Sequence, residues 1–199
     1  MAAKIEEETK LAFSSVLIKP KPSELNSRSL VNLERTITEF KYSPLKWTGI
    51  PIISANMDTT GTFEVCECLS QYKIVTALHK FYTVDDYTEF NKKNIDPNHF
   101  MVSTGINDNA IEKLTSIFQV ICCNWICIDI ANGYISNLVT FCQKVRETFP
   151  EKIIVAGNVV CPELVEKLLV DGKVDVVKVG IGPGSACTTR IKTGVGMPQ

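Results

Sequence analysis

From residue 50 onward, short apolar runs alternate with segments in which apolar side chains recur at the spacing of a helix. The clearest helical segment stops before Pro150 and has apolar side chains at Leu138, Phe141, Cys142, Val145 and Phe149. Short apolar runs bounded by polar or glycine residues are typical of buried strands. The runs are Ile50–Ala55, Lys73–Leu78, Phe100–Ser103, Trp125–Ile130, Ile153–Ala156 and Val174–Val179. The pattern therefore predicts six consecutive β-α units.

Local signals mark further helices. Thr83 is an N-cap residue that predicts a helix start, while Pro162 at a first helical position and Gly172 after Asp171 bracket another helix. Apolar side chains share one face at Val84, Tyr87 and Phe90 in one segment, and at Ile111, Leu114 and Phe118 in the next. These positions agree with helices that pack one face on a sheet.

Repeated β-α units with short connections build a parallel sheet, either open and doubly wound or closed into a barrel. Polar or glycine residues follow nearly every predicted strand, and a barrel gathers all such ends on one face, where its active site lies. No Gly-x-Gly-x-x-Gly follows the first strand, and the stretch Gly180–Gly184 fits that fingerprint poorly because no obvious helix opens after it. The predicted fold class is α/β: a (β/α)8 TIM barrel truncated after about six β-α units.

Two parts of the chain are expected to differ in role. Residues 1–49 are predicted to be an N-terminal extension with short strands, packed on the barrel, and residues 50–199 an incomplete barrel catalytic domain. Two sheet edges would be unpaired in such a chain by itself, so we expect it to be unstable or aggregation-prone alone.

The charge and composition of the chain exclude some classes of binding partner. The net charge of -1 and the pI near 6.2 give no electrostatic footprint for nucleic acid. No apolar run approaches the length of a membrane span, and the charged start is not an export signal, so a cytoplasmic protein is expected. The eight cysteines have irregular spacing without a Cys-x-x-Cys pair, which favours reduced, packed thiols over disulfides or zinc.

One cysteine differs from the rest in its setting. The apolar run Val174–Val179 predicts a strand covered on both faces, and Gly180, Gly182 and Gly184 follow it, so the backbone can turn sharply beside a ligand. Cys187 on that loop is a candidate nucleophile if nearby positive potential lowers its pKa. The alternative is a cysteine that packs under a turn.

Other candidates keep a structural alternative. Thr189 is either a proton relay or a surface-turn threonine, and Ser185 could cradle a phosphate while carbonyls of its loop hold a monovalent cation. Asp129 at a strand end either accepts hydrogen bonds from a ribose or carboxamide or caps the next helix. His79 with Lys80, and Asn158, are either ligand contacts or ordinary strand-end and turn residues.

The loop Gly180–Arg190, with Gly194 and Gly196 after it, resembles the purine-nucleotide oxidoreductases of the IMP dehydrogenase/GMP reductase family. Supporting segments are Ser27–Ser29, Pro51–Asp58 and Ala156–Val160, and the resemblance runs from about Leu11 to Gln199. Two features favour the reductase branch over the dehydrogenases. The chain has no room for a regulatory insertion between Lys80 and Phe100, and Asp129–Tyr134 is similar to the reductase cofactor strand.

The resemblance implies a chemistry. Cys187 would add to C2 of GMP, ammonia would leave, and hydride from NADPH would give IMP, with Thr189 in proton transfer beside a glutamate. NADPH would contact Ser27, Arg28, Lys80, Asp129, Ile130, Ala131, Ile181 and Gly182. Potassium would be held by backbone oxygens of Gly182, Gly184, Cys187 and Arg190, and the assembly would be a homotetramer.

Departures from the family pattern keep other functions open. Ala186 and Ile191 are small variations beside the nucleophile that we expect to be tolerated. The family's C-terminal part, with the glutamate and most GMP contacts, is not in this sequence, so the chain alone is expected to be inactive. The alternatives are an IMP dehydrogenase that converts IMP to XMP with NAD, and a non-catalytic truncated paralogue.

Overall fold

The computed structural model describes residue 5 and residues 7–198, which form one seven-stranded sheet with helices on its outer side. The strands, in chain order and in sheet order, are β1 (Arg35–Ile37), β2 (Trp47–Ser54), β3 (Ile74–Leu78), β4 (Phe100–Thr104), β5 (Trp125–Asp129), β6 (Ile153–Val159) and β7 (Val176–Val179). The helices are α1 (Phe63–Ser70), α2 (Val84–Asn91), α3 (Ala110–Val120), α4 (Leu138–Thr148), α5 (Pro162–Val170) and α6 (Thr189–Thr193). Short 3-10 turns span Phe13–Ser15 and Arg28–Leu30.

Strands β2 to β7 are parallel to their neighbours, and β1 pairs with β2 in the antiparallel sense. The curled sheet with a helix after each parallel strand is the incomplete barrel that the sequence predicts. The predicted strands are all present, with β2 beginning earlier, at Trp47, and β6 running on to Val159. The expected boundary at residue 49 or 50 therefore falls inside β2.

The helix signals act as predicted. Thr83 forms a capping box with Asp86 at the start of α2, and Pro162 occupies the first turn of α5. The loop after β7 is an exception, because one turn of helix, α6, begins at Thr189 where no helix is apparent from the sequence. This turn ends at Gly194, whose φ of 68° lies in the left-handed region that glycine commonly adopts at the end of a helix.

The core lies between the sheet and the helices. Strands β4 and β5 are buried along almost their whole length, as expected for inner strands of a parallel sheet. Strand β7 is different: Val176 to Lys178 are half-buried and Val179 is exposed. The expectation that Val174–Val179 is covered on both faces is therefore wrong, because β7 is an edge strand whose one neighbour among the described residues is β6.

Residues 34–49 pack against the amino ends of the parallel strands, which we call the lower end of the sheet. The Trp47 indole donates a hydrogen bond to the Asn98 carbonyl and meets Trp125 edge to face, with ring centroids 6.2 Å apart. The Ser43 hydroxyl donates to the carbonyl of Glu151. The described residues before position 34 are almost all exposed, so packing of the extension on the barrel is seen only from residue 34 onward.

A buried ion pair closes the lower end. The Asp175 carboxylate accepts backbone N–H groups from Tyr42, Ser43 and Ile154 and pairs with the Arg146 guanidinium. Arg146 also donates to three carbonyl oxygens around the end of α4. Such a pair is stable only when its remaining hydrogen-bonding groups are satisfied, which these contacts achieve.

Within residue 5 and residues 7–198, no helix has the length and apolar character needed to cross a bilayer.

Candidate active site

Polar side chains gather at the carboxyl ends of the parallel strands, which we call the upper end of the sheet. Asn56 follows β2, Lys80 follows β3, Asp129 closes β5 and Lys178 lies in β7. Parallel strands bring these positions to one edge although they are far apart in sequence. The upper end is therefore the site that the order of strands and polar residues predicts.

An ammonium–carboxylate pair links two of these strands. Lys178 Nζ lies 2.6 Å from Asp129 Oδ1 and 2.9 Å from Asn56 Oδ1. Asp129 does not cap the next helix, because the N-cap of α4 is Asn137. The helix-capping alternative for Asp129 is therefore wrong, and its carboxylate is held at the mouth of the barrel.

Lys178 was missed as a site residue by sequence reasoning. The available signal was a single charged residue in the run Val176-Val177-Lys178-Val179, whose other members are apolar. A lysine in a buried strand needs a partner or a path to water. The sequence does not identify that partner, because Asp129 is 49 residues away along the chain.

Cys187 and Thr189 are brought together on the loop after β7. Cys187 Sγ lies 3.3 Å from Thr189 Oγ1, and Cys187 N–H donates to the Gly184 carbonyl. Hydrogen bonds from the Thr189 hydroxyl and backbone amide lower the pKa of Cys187, and the charge of Arg190 acts in the same direction. The thiol is partly exposed, so its thiolate is both favoured and reachable.

The loop owes its shape to close packing around Arg190. Gly182 has a φ of 64° and Gly196 a φ of 146°, and a Cβ at Gly196 would lie 2.6 Å from Arg190 Cγ. The Met197 N–H donates to the Ile181 carbonyl, which ties the end of the described chain back to the loop. The two glycines therefore allow the stem of Arg190 to pass between them, directly below the cysteine loop.

Four other thiols are electrostatically unlike Cys187. Burial raises the pKa of Cys66, Cys123 and Cys142 to about 12 and that of Cys127 to about 11. All eight cysteines are free thiols. Buried, neutral thiols of this kind pack as small apolar groups, so Cys187 is the better nucleophile on geometric and electrostatic grounds.

A cavity of about 330 Å³ opens at the upper end beside β4 and β5. It is lined by two of the residues predicted to contact a cofactor, Lys80 and Ile130. Of the other predicted contacts, Ile181 is buried beneath the cysteine loop and Ala131 is exposed next to Ile130. Ile130 directly follows Asp129, so the cavity lies next to the strand end that bears the Asp129 carboxylate.

Three predicted contacts are not brought into this region. Ser27 and Arg28 lie on an exposed 3-10 turn, where the Ser27 hydroxyl is 2.8 Å from that of Ser29. Ser185 is exposed on the cysteine loop. These residues can reach a ligand only from outside the pocket of the described chain, so their assignment stays a prediction.

The predicted potassium ligands occupy one loop. The Gly184 carbonyl accepts from Cys187 N–H, and the Arg190 carbonyl accepts from Gly194 N–H. A carbonyl oxygen has a second lone pair, so both can still bind a cation. Among the described residues, no group of three His, Cys, Asp or Glu side chains is arranged to hold a metal ion, so an ion at this loop would need backbone oxygens.

Several buried polar side-chain atoms of the described chain have no hydrogen-bond partner, and two of them belong to residues that the sequence marks as possible ligand contacts. They are His79 Nδ1 and Asn158 Oδ1. His79 stacks on Tyr82, with ring centroids 3.9 Å apart, and the backbone of Asn158 bonds to Ile130 and Gly133. A buried polar atom without a hydrogen-bond partner costs free energy, so both atoms are candidates to bind a polar group of a ligand.

Comparisons with known proteins identify the family of the chain. Residues 10–199 match the family described as IMP dehydrogenase / GMP reductase domain. The chain is 53% identical over 199 residues to a GMP reductase of Yersinia enterocolitica, and 54% identical over 199 residues to one of Salmonella paratyphi C. Each match covers 98% of this chain and 57% of the relative, so the chain spans a little over half of their length.

A solved structure gives the same picture of the fold. The crystal structure of inosine 5' monophosphate dehydrogenase from Legionella pneumophila superposes with a TM-score of 0.79 at 28% sequence identity. The match covers 96% of this chain and 56% of that one. The half-barrel of this chain therefore has the fold of the corresponding part of that TIM barrel.

Proposed function

The chain belongs to the IMP dehydrogenase/GMP reductase family, and we propose that its protein is a GMP reductase, an oxidoreductase that converts GMP to IMP and ammonia with NADPH. The observation that carries the proposal is the Cys187–Thr189 contact on the glycine-rich loop that follows β7. The relatives above 50% identity support the reductase over the dehydrogenase.

Cys187 is the nucleophile in this proposal. Its thiolate attacks C2 of the guanine base, the C2–N bond breaks, and the amino group takes up a proton and leaves as ammonia. The product of this step is a thioimidate between Sγ and C2. The Thr189 hydrogen bonds lower the pKa of Cys187, so at a given pH its thiolate fraction is larger than that of an ordinary thiol.

Thr189 moves the proton. Its hydroxyl is 3.3 Å from Sγ, so it is within reach of both the thiol and a group bonded to C2. In the first step it delivers a proton to the departing amino group. A threonine hydroxyl needs a stronger acid or base behind it, which agrees with the glutamate partner that the family resemblance implies.

Asp129 and Lys80 hold the nicotinamide cofactor beside the base. When bound, NADPH would supply a hydride to C2. Cys187 would be the leaving group from that carbon, and its thiolate would be restored when the C2–S bond breaks. The Asp129 carboxylate accepts hydrogen bonds from the ribose or carboxamide, and Lys178 is a positioning residue that fixes the carboxylate. Lys80 lines the 330 Å³ cavity beside Ile130, and an ammonium group at that position suits an anionic part of a cofactor.

A potassium ion, further cofactor contacts and a homotetrameric assembly complete the proposed enzyme. Carbonyl oxygens of Gly182, Gly184, Cys187 and Arg190 would bind potassium and so stiffen the cysteine loop. Ser27 and Arg28 would reach NADPH from the N-terminal segment. A homotetramer in the cytoplasm is the assembly and location that the resemblance implies.

The test uses protein expressed from the complete open reading frame, incubated with GMP and NADPH. We expect the NADPH absorbance to fall in step with release of ammonia, and we expect no reaction of IMP with NAD. Growth of the NADH band with IMP and NAD would identify a dehydrogenase instead. Nucleotide binding without either reaction would identify a non-catalytic paralogue.

A matched control separates the nucleophile from the other exposed thiols. Cys187→Ala should abolish the loss of NADPH, whereas Cys122→Ala, which removes an exposed thiol away from the loop, should leave the rate unchanged. Equal rates for the wild-type protein and Cys187→Ala would exclude the covalent mechanism.

A further inference from the structure

We propose that Tyr134 is a positioning residue: its hydroxyl ties residues 130–137, which we call the β5 loop, to the amino end of α5. The inference rests on the proposed function, because the β5 loop follows Asp129 directly and carries Ile130 and Ala131, two of the residues proposed to contact NADPH. Tyr134 acts through these residues, by holding the backbone that bears them.

The Tyr134 hydroxyl makes three hydrogen bonds at the amino end of α5. It accepts the backbone N–H groups of Val160 and Cys161, at 3.3 Å and 3.1 Å, and it donates to Cys161 Sγ at 2.9 Å. These contacts use both the donor and the acceptor capacity of a phenol. Partial burial and the hydrogen bond to Cys161 raise the pKa of Tyr134, so the hydroxyl remains a donor at neutral pH.

The backbone of the β5 loop lies against the end of β6. Ile130 N–H donates to the Gly157 carbonyl, and Asn158 N–H donates back to the Ile130 carbonyl, both at 3.0 Å. Gly133 N–H donates to the Asn158 carbonyl at 2.7 Å, and a Cβ at Gly133 would lie 2.4 Å from that oxygen. The close approach that glycine allows therefore brings the next residue, Tyr134, within reach of α5.

Tyr134 holds the part of the loop that lies beyond this backbone ladder. In the described chain, every side-chain hydrogen bond from the β5 loop to another β-α unit goes through Tyr134. Lys178 fixes the Asp129 carboxylate, and Tyr134 fixes the backbone that follows it. A loop that is ordered before its ligand arrives loses less conformational entropy on binding, so this contact favours tighter cofactor binding.

The exposure of Tyr134 distinguishes this role from a contribution to the core. Its side chain is 46% exposed, so water can replace the phenol at the two N–H groups when the hydroxyl is removed. Tyr87, in contrast, is almost completely buried in the core. Loss of the Tyr134 hydroxyl should therefore loosen the β5 loop and leave the rest of the barrel intact.

The first experiment compares Tyr134→Phe with the wild-type protein from the complete reading frame. We expect the variant to raise KM for NADPH about fivefold, the effect of losing hydrogen bonds of ordinary strength, with KM for GMP and the thermal midpoint unchanged. Tyr72→Phe is the matched control, since it removes the hydroxyl of another exposed tyrosine, on the turn between α1 and β3, and it should change neither constant.

A pair of substitutions at Cys161 tests the same contact from its other side. Cys161→Ser keeps an acceptor for the phenol and should behave as the wild type. Cys161→Ala removes that acceptor but leaves both backbone N–H groups, so KM for NADPH should rise less than in Tyr134→Phe, about twofold.

Hydrogen exchange followed by mass spectrometry tests the loop without turnover. Peptides that cover residues 130–137 should exchange faster in Tyr134→Phe than in the wild type, and saturating NADPH should restore most of the protection. Peptides from β4 and from the lower end should exchange at the wild-type rate.

The outcomes separate this inference from the function itself. A higher KM for NADPH with unchanged exchange in the loop would make Tyr134 a direct cofactor contact, and faster exchange throughout the barrel would make it a structural residue; either overturns the proposal, as would a variant identical to the wild type. If GMP is not reduced but NADPH still protects a loop that Tyr134→Phe has loosened, the proposed function fails and the positioning role of Tyr134 stands.

Discussion

Each end of the sheet contains an aspartate paired with a cationic side chain. The two pairs differ in how far they are buried and in how many further hydrogen bonds the carboxylate accepts. At the lower end, Asp175 is fully buried, Arg146 is nearly so, and the carboxylate accepts three further backbone N–H groups. At the upper end, the Asp129 and Lys178 side chains are 24% and 36% exposed. The first pair is saturated by its own protein, and the second has capacity left for a ligand.

This difference follows from where the chain enters and leaves the parallel strands. Residues 34–49 cross the lower end and supply backbone donors to Asp175, whereas glycine-rich and polar loops surround the upper end. One end of a β-α barrel stabilises and the other binds, and here both roles can be followed to one carboxylate each. Four predictions test that division.

The largest effect is expected from Cys187→Ala. The intact enzyme should lose at least about 10⁴-fold in turnover, because no other described thiol combines exposure with a lowered pKa on this loop. The midpoint of urea unfolding should stay within error of the wild type, since the side chain is partly exposed. Steady-state NADPH oxidation and circular dichroism measure the two, and a large loss of stability would place Cys187 with the structural residues.

The second effect contrasts the two aspartates directly. Asp175→Asn should lower the free energy of unfolding by about 3–5 kcal/mol, because it leaves the Arg146 charge buried without a partner. Asp129→Asn should cost less than about 1 kcal/mol, since water screens its pair. Urea unfolding of both variants measures the difference. Similar costs for the two would remove the distinction between the ends.

Substitutions of Lys178 test whether its ion pair with Asp129 holds that carboxylate in position. Lys178→Met should reduce turnover about 10- to 100-fold with little loss of stability, because Asp129 is then free to rotate away from the cofactor. Lys178→Arg should recover part of the rate by restoring a cation at the same distance. If Lys178→Met instead raised only KM for GMP, the lysine would be a substrate contact rather than a partner of Asp129.

The smallest effect concerns the titration of Cys187. A lowered pKa means that the thiolate forms at lower pH, so alkylation of Cys187 by iodoacetamide should reach half its plateau at a lower pH than alkylation of free cysteine measured in parallel. Thr189→Val should move that midpoint upward and slow labelling near neutral pH, with the high-pH plateau unchanged. Thr188→Val, one residue earlier, is the control, and mass spectrometry identifies the labelled residue. An unchanged midpoint in Thr189→Val would show that the hydroxyl does not stabilise the thiolate.

Short-range sequence patterns were enough to predict most of the strands and helices. The apolar runs and the signals at Thr83 and Pro162 predicted the strands and helices because both depend on short-range spacing and capping. The exposure of β7 was mispredicted, because a run of β-branched residues has the same appearance in an inner strand and in an edge strand. Neighbours in the sheet, which the run itself does not encode, decide how much of it is covered.

The site was predictable where chemistry is concentrated in one segment and not where partners come from several. Cys187 and Thr189 lie two residues apart, so their contact follows from the loop, and the strand-end positions of Asp129 and Lys80 correctly predicted that both lie at the upper end. Lys178 was missed, because its partner Asp129 lies on another β-α unit. Arg146 is similar: its counter-charge is 29 residues away.

The packing of Trp47 against Trp125 makes the lower end optically visible. These are the two tryptophans of the chain, and their rings lie across the contact between residues 34–49 and the barrel. Separation of that segment would expose both indoles to water and shift their emission to longer wavelength. Intrinsic fluorescence therefore reports when the N-terminal segment leaves the barrel, and substitutions confined to the cysteine loop should leave that emission in place.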